Sequence, residues 1–227
     1  MEVAVVYSIG ERCYTEKILK RLNLIKFSSI FGSMNMKNYN NVIRCFDTNC
    51  KALFDPANLI CTKNVPQMGY LNKEHGFRTL NRLFDVPTNF HSATIAHHDL
   101  STEKDQEHFK RGLQRLEYIK EKELPVLFVH ISMDFNNTHP NPALISSILA
   151  GGFKHMKVLS IYKTETPVAK PKLLHESTNH IIYKMHTDGY NDPREDSIIE
   201  AILLKHFKFS KLLTLDDFPK IDTPSIE

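Results

Sequence analysis

The chain has 227 residues, of which 41% are hydrophobic and 24% charged, and its formal net charge is +3. These values are ordinary for a globular domain with a substantial core, and they exclude a disordered or fibrous chain. The charge is small and the basic residues alternate with acidic ones, so the sequence does not indicate a nucleic-acid partner.

The first half of the chain predicts a strand, a tight turn and a helix, followed by less regular sequence. The apolar run at residues 3–7 is typical of a buried strand, and a helical pattern begins at about Glu11. Loop residues at 27–40 precede a helix over residues 41–54. We expect a short helix near residues 77–83 and a strand over residues 90–96.

The second half alternates strands and helices more clearly. Apolar residues at three- and four-residue steps predict a long helix over residues 102–123. Further strands are expected at residues 125–131, 156–162 and 180–185. Further helices are expected at residues 142–150 and 193–207, the last with Ile198, Ile202 and Leu203 facing inward.

This alternation predicts an α/β fold: a single domain with a mostly parallel central sheet and helices on both faces. We place the domain at residues 1–212, with residues 55–92 as a lid or insertion and residues 213–227 as a C-terminal surface tail. The first residues lack the basic region of a signal peptide, and no apolar segment is long enough to cross a bilayer. The four cysteines do not form a disulfide framework. We therefore expect a cytoplasmic protein with no membrane partner.

Ligands of parallel sheets lie beyond the carboxyl ends of the strands, so the residues that follow the first strand are candidates for a site. Ser8, Gly10 and Arg12 lead to Cys13 in the first turn of a helix. The partial positive charge of a helix start favours a thiolate, which is the reactive form of cysteine. Cys13 is therefore a candidate nucleophile; the alternative is a small buried side chain that packs the helix on the sheet.

A cysteine nucleophile requires a base. His97, His98 and Asp99 follow the predicted strand at residues 90–96, so His98 is the candidate base and Asp99, or a more distant carboxylate, the group that orients it. Other strand ends offer rival groups, which are His130, Asp134, His139, His186 and Asp188. The alternative for His97 to Asp99 is a polar segment at a helix start.

No metal or cofactor is expected. Cys45 and Cys50 have an allowed zinc spacing, but no second close pair completes a site. Neither a phosphate-binding loop nor a dinucleotide fingerprint is present.

Several segments together resemble the family labelled putative papain-like cysteine peptidases. They are residues 7–13 (YSIGERC), 19–24 (LKRLNL), 27–31 (FSSIF), His98-Asp99, 109–115 (FKRGLQR) and 126–129 (VLFV). The resemblance covers residues 1–132 and extends more weakly beyond them. It implies Cys13 as nucleophile, His98 as base, and a role for Arg111 or Arg115 near the site.

Two positions depart from the family pattern. The family carries Phe-Asp-Trp where this chain has Phe31-Gly32-Ser33, and arginine where this chain has His130. The Gly10 to Cys13 turn is also similar to that of capsular-polysaccharide acyltransferase-like proteins, which implies acyl transfer as a competing activity.

The leading hypothesis is cysteine-dependent acyl chemistry on a small-molecule, glycan or peptide substrate, as a hydrolase or an acyltransferase. Backbone N–H groups from Gly10 to Cys13 would hold the oxyanion. The candidate substrate-binding residues are Ser8, Gly10, Arg12, Arg111, Arg115 and His130. One alternative is a glycan or nucleotide-sugar transferase in which Arg111, Arg115 and Lys163 hold phosphate and Cys13 is structural. Another is a catalytically inactive interaction domain.

Overall fold

The computed structural model describes residues 1–10, 13–32, 34, 39–51, 55, 57, 59–63, 77–81, 95–96, 98, 100, 102–132, 138–188 and 193–219, with backbone alone at 59–63, 77–81 and 95–96. No helix within these ranges is long and apolar enough to cross a membrane.

A five-stranded sheet forms the centre of the molecule. Its strands are β1 (Val5–Ser8), β5 (Val126–Ser132), β6 (Met156–Thr164), β8 (His180–His186) and β7 (Lys172–Glu176), in that spatial order. The first four pair in parallel, and β7 runs antiparallel to β8 at the edge. Every residue of β1 and β5 is buried because both faces of the sheet are covered. The predicted fold class is confirmed: this is a single α/β domain with a mostly parallel sheet.

Helices cover the two faces separately. The helices are α1 (Tyr14–Arg21), α2 (Tyr39–Asp47), α3 (Glu103–Glu121), α4 (Pro142–Ala150) and α5 (Asp196–His206). The apolar sides of α2, α3 and α4 share one core with residues of the sheet such as Phe128. The apolar sides of α1 and α5 share the other core, which includes Ile131 and Ile161. The domain therefore has three layers.

A second, smaller sheet is antiparallel, with the order β2 (Leu59–Lys63), β3 (Phe77–Asn81) and β4 (Ile95–Ala96). The helix expected near residues 77–83 is therefore wrong, because pairing with two neighbours decided the structure of a short segment whose pattern was ambiguous. The strand expected at residues 90–96 is present at its end as β4, but it does not belong to the parallel sheet.

Some boundaries and orientations also differ from the expectations. Helix α2 ends at Asp47, and Asn49 and Cys50 follow with positive φ, a conformation that ends a helix. Ile198 in α5 is exposed, and Ile199 takes the inward position next to it. In the predicted tail, Leu213 N–H donates to the Ala4 carbonyl and Phe218 is buried, so residues 213–219 pack on the domain.

Candidate active site

A pocket of about 220 Å³ opens beside the start of α1. The described residues that line it are Cys13, Glu16, Lys17, Lys20, Ser28, Ser29, Gly32, His98 and His108. They come from three separate parts of the chain: the start of α1, the loop that follows it, and the region where α3 begins. The pocket therefore brings a thiol and two imidazoles to one cavity.

The turn after β1 places Cys13 at the amino-terminal boundary of α1. Gly10 is buried, and a Cβ at this position would lie 1.8 Å from Thr15 Oγ1, so only glycine fits this turn. Thr15 Oγ1 donates to the Ile131 carbonyl at 3.3 Å, which fixes the helix start against β5. The Cys13 carbonyl accepts a hydrogen bond from Lys17 N–H, and its side chain is half-buried. Cys13 is thus held firmly in place and remains accessible from the pocket.

Glu16 forms a buried part of the pocket wall one helical turn after Cys13. Its Oε2 accepts hydrogen bonds from Ser29 N–H at 3.1 Å and from Ser29 Oγ at 2.8 Å. Its Oε1 lies 2.6 Å from Lys20 Nζ. A Cβ at Gly32 would lie 1.9 Å from Glu16 Oε2, so this wall depends on glycine at position 32. These contacts tie α1 to the loop that follows it.

His98 is oriented by a carboxylate from the first turn of α3. Its Nδ1 lies 2.9 Å from Asp105 Oδ1, and both side chains are partly buried. Helix α3 begins at this point because the Thr102 side chain accepts a hydrogen bond from Asp105 N–H as an N-cap. The cap therefore also sets the position of the carboxylate that faces His98.

His108 lies one turn further along α3 and stacks on His98, with ring centroids 4.8 Å apart and planes at 15°. The pKa of His108 is lowered, first by burial and then by the positive charges of His98 and Arg111. These surroundings favour the neutral form of His108.

The structure brings two of the candidate catalytic residues, Cys13 and His98, to the same pocket. His97, Asp99 and Arg12 lie outside the described residues. Ser8 is fully buried at the end of β1, and Gly10 supports the turn beneath Thr15.

Of the other candidate substrate-binding residues, Arg115 contacts the pocket residue Ser28, and Arg111 acts electrostatically on the pocket residue His108. Arg111 and Arg115 are half-buried on α3, and Arg115 Nη1 donates to the Ser28 carbonyl at 3.3 Å. His130 is fully buried within β5, where its ring packs on Tyr39. Lys163 is 1% exposed and pairs with Glu195 on the face of the sheet covered by α1 and α5, so it does not join the two arginines. None of these four residues is among the described residues that line the pocket.

Three site residues were not identified from the sequence: Glu16, Asp105 and His108. The position of Asp105 could be recognised from the sequence, because an acidic residue three positions after the N-cap Thr102 is typical of a first helical turn. Its hydrogen bond to His98 depends on how the segment before α3 folds back, which the sequence pattern does not give.

A family model described as putative papain-like cysteine peptidase matches residues 4–162. No curated protein and no solved structure matches the chain. The match contains β1, Cys13, His98 and Asp105, and it ends at the Tyr162 position of β6.

Proposed function

The chain belongs to the putative papain-like cysteine peptidase family, and on this premise we propose that it is a cysteine-dependent acyl hydrolase with Cys13 as nucleophile, His98 as base and Asp105 as the residue that orients His98. The observation that carries the proposal is the shared pocket: Cys13 and His98 line one cavity, and His98 Nδ1 faces the Asp105 carboxylate. A nucleophile, a base and an orienting acid form the set that such catalysis requires.

The hydrogen bond to Asp105 supports one tautomer of His98. With the proton on Nδ1 donated to Asp105, the lone pair lies on Nε2, which is then the basic nitrogen. In the proposed reaction Nε2 takes the proton of the Cys13 thiol, and the thiolate attacks the substrate carbonyl carbon. Backbone N–H groups at Cys13 and at the start of α1 stabilise the oxyanion.

Collapse of the tetrahedral intermediate breaks the bond to the leaving group, which receives the proton from His98. A thioester on Cys13 remains. Water then attacks the thioester carbon and gives a proton to His98. The C–S bond breaks, the acid product leaves, and the Cys13 thiolate takes the proton back from His98. Atoms and protons balance over the two steps, and no further group is required.

The experiment combines thiol labelling with trapping of the acyl intermediate. Cys13 is expected to react with iodoacetamide near neutral pH at least about tenfold faster than Cys45 and Cys50, which are buried. p-Nitrophenyl acetate is expected to give a burst of nitrophenol that Cys13→Ser abolishes. Because exposure alone favours Cys13, the decisive comparison is His98→Gln, which should slow both reactions. The control is His155→Gln, at an exposed histidine outside the pocket lining. Unchanged rates in His98→Gln, or labelling of Cys13 no faster than that of the buried thiols, would contradict the proposal.

A further inference from the structure

One face of α1 forms a wall of the Cys13 pocket. Cys13, Glu16, Lys17 and Lys20 all line the cavity, and their spacing of three and four positions places them on the same side of the helix. The Lys17 N–H donates to the Cys13 carbonyl at 3.0 Å, so Lys17 lies one helical turn after the proposed nucleophile. The Cβ atoms of two residues in this relation are about 6 Å apart, which puts the Lys17 ammonium group within reach of a ligand held at Cys13.

Lys17 is the cation of this face whose charge is not neutralised. The acid beside it, Glu16, is buried and fully used: its Oε2 accepts two hydrogen bonds from Ser29, and its Oε1 lies 2.6 Å from Lys20 Nζ. Lys17 is exposed, and no carboxylate among the described residues forms an ion pair with it. Its ammonium group is therefore available to an anionic group of a ligand.

Two arginines of α3 add positive charge near the same cavity. Arg111 and Arg115 lie one turn apart and are half-buried, and within the described ranges neither guanidinium pairs with a carboxylate. The pKa of the pocket residue His108 is lowered first by burial and then by positive charges, which include those of Arg111 and Arg115, while Asp105 opposes them. Asp105 is itself bonded to His98. The cavity therefore has a positive potential, which favours an anionic ligand.

We propose that Lys17 determines the substrate class of the Cys13 pocket: acyl compounds that carry a carboxylate or another anionic group within a few bonds of the carbonyl that Cys13 attacks. This inference rests on the proposed function and adds the charge of the substrate to it. Lys17 binds the anionic group, and the charges of Arg111 and Arg115 attract it into the cavity.

The test compares two reagents of nearly equal size on the full chain: iodoacetate, which is anionic, and iodoacetamide, which is neutral. The ratio of their rates at Cys13, measured by mass spectrometry of the labelled peptide, is divided by the same ratio for mercaptoethanol, so that the intrinsic preference of a thiolate cancels. We expect a corrected ratio of about five, which falls as NaCl is added because salt screens an exposed charge. A corrected ratio of about one would overturn the inference.

Variants assign the effect to Lys17. Lys17→Gln removes the charge and is expected to lower the ratio about fivefold, and Lys17→Glu is expected to lower it further. A change in the reactivity of the thiol itself acts on both reagents and cancels in the ratio. Lys172→Gln is the control, because it makes the same loss of charge at an exposed lysine outside the pocket lining. Equal ratios in Lys17→Gln and Lys172→Gln would refute the role of Lys17.

Two esters of matched length extend the test to substrates: mono-p-nitrophenyl glutarate, which is anionic, and p-nitrophenyl pentanoate, which is neutral. After correction for hydrolysis without protein, the ratio of their kcat/KM values should fall about fivefold in Lys17→Gln.

The results separate this inference from the proposed function. If Cys13 reacts rapidly with iodoacetamide and with the pentanoate ester but does not prefer the anionic partner of either pair, Cys13 remains the nucleophile and the substrate class is refuted. If Cys13 reacts slowly with all four compounds, both proposals are refuted.

Discussion

Asp105 Oδ1 lies 2.9 Å from Nδ1 of His98, and this carboxylate belongs to the first turn of α3 while the histidine precedes that helix. The contact joins a residue of a segment between helices to a helix start that is itself fixed by a side-chain cap. The orientation of His98, the proposed base, is thus determined by the start of α3 rather than by the immediate neighbours of His98 in the sequence.

The first prediction concerns Asp105→Asn. The amide can donate to Nδ1, which stabilises the tautomer with the proton on Nε2 and removes the basic nitrogen from the proposed role. We expect the nitrophenol burst and the alkylation of Cys13 to slow by about tenfold or more. Glu107→Gln, a substitution in the same helix at a residue that pairs with Lys110, is the control. Equal rates in the two variants, with both folded by circular dichroism, would show that Asp105 does not act through His98.

The second prediction concerns Gly32→Ala. The added methyl group would lie 1.9 Å from Glu16 Oε2, and the carboxylate cannot move away without losing its bonds to Ser29. We expect a loss of about 1–3 kcal/mol in the free energy of unfolding, measured by urea denaturation. Gly151→Ala is the control, because its nearest contact is 3.2 Å and its φ of −67° suits alanine. If Gly32→Ala loses no more stability than Gly151→Ala, the close packing of Glu16 against Gly32 is contradicted.

The third prediction concerns pH and His180. Burial lowers the pKa of His180 from 6.5 to about 4, with smaller effects from the charges of His175 and His130. Between pH 6.5 and about 4, His180 is therefore protonated in the unfolded chain but not in the folded chain. The free energy of unfolding is highest above about pH 6.5 and falls as the pH drops toward 4. The loss from this group is about 3 kcal/mol.

The measurement for His180 is the free energy of unfolding as a function of pH. His180→Gln keeps an acceptor for the Ser160 hydroxyl, which lies 2.9 Å from His180 Nε2, and is expected to reduce the slope in this window. His155→Gln, at an exposed histidine, should leave the slope unchanged. Some slope should remain, because burial also lowers the pKa values of His108 and His206. An unaltered slope in His180→Gln would refute the assignment.

The fourth prediction concerns the buried pair of Lys163 and Glu195. Lys163→Met leaves the Glu195 carboxylate buried without its cation, and we expect a loss of about 3–5 kcal/mol in stability. Adding Glu195→Gln removes the uncompensated charge, so the double variant should be more stable than Lys163→Met alone. Urea unfolding measures both, and Lys154→Met, in an exposed pair with Glu123, serves as a control with little expected effect. If the loss in the double variant equals the sum of the losses in Lys163→Met and Glu195→Gln, the two residues are not coupled.

The sequence predicted the elements whose local pattern and burial agree. Helix α4 has its expected bounds because Asn141 caps it, Pro142 suits its first turn and Gly151 follows its end. Strand β5 was found to within one residue because burial on both faces makes it a continuous apolar run. Strand β7 was missed: most of its residues are exposed at the sheet edge, so neither alternation nor an apolar run marks it.

The candidate site likewise contains residues that the sequence predicted and residues that it did not. Cys13 and His98 could be proposed because each follows a recognisable turn or strand. Asp105 and His108 could not, because their relation to His98 depends on how α3 packs after the chain has folded. Their spacing from His98 is seven and ten positions, and the segment between them has no single period that would place all three side chains together.

The link between Tyr14 and Glu195 has a consequence for dissecting the protein. Tyr14 is the neighbour of Cys13, and its hydroxyl is secured by residues that come after position 162, where the family match ends. A fragment truncated at that position would retain the thiol and His98 but lose β8, α5 and the anchor of the first helix. We therefore expect that residues 4–162 do not fold on their own.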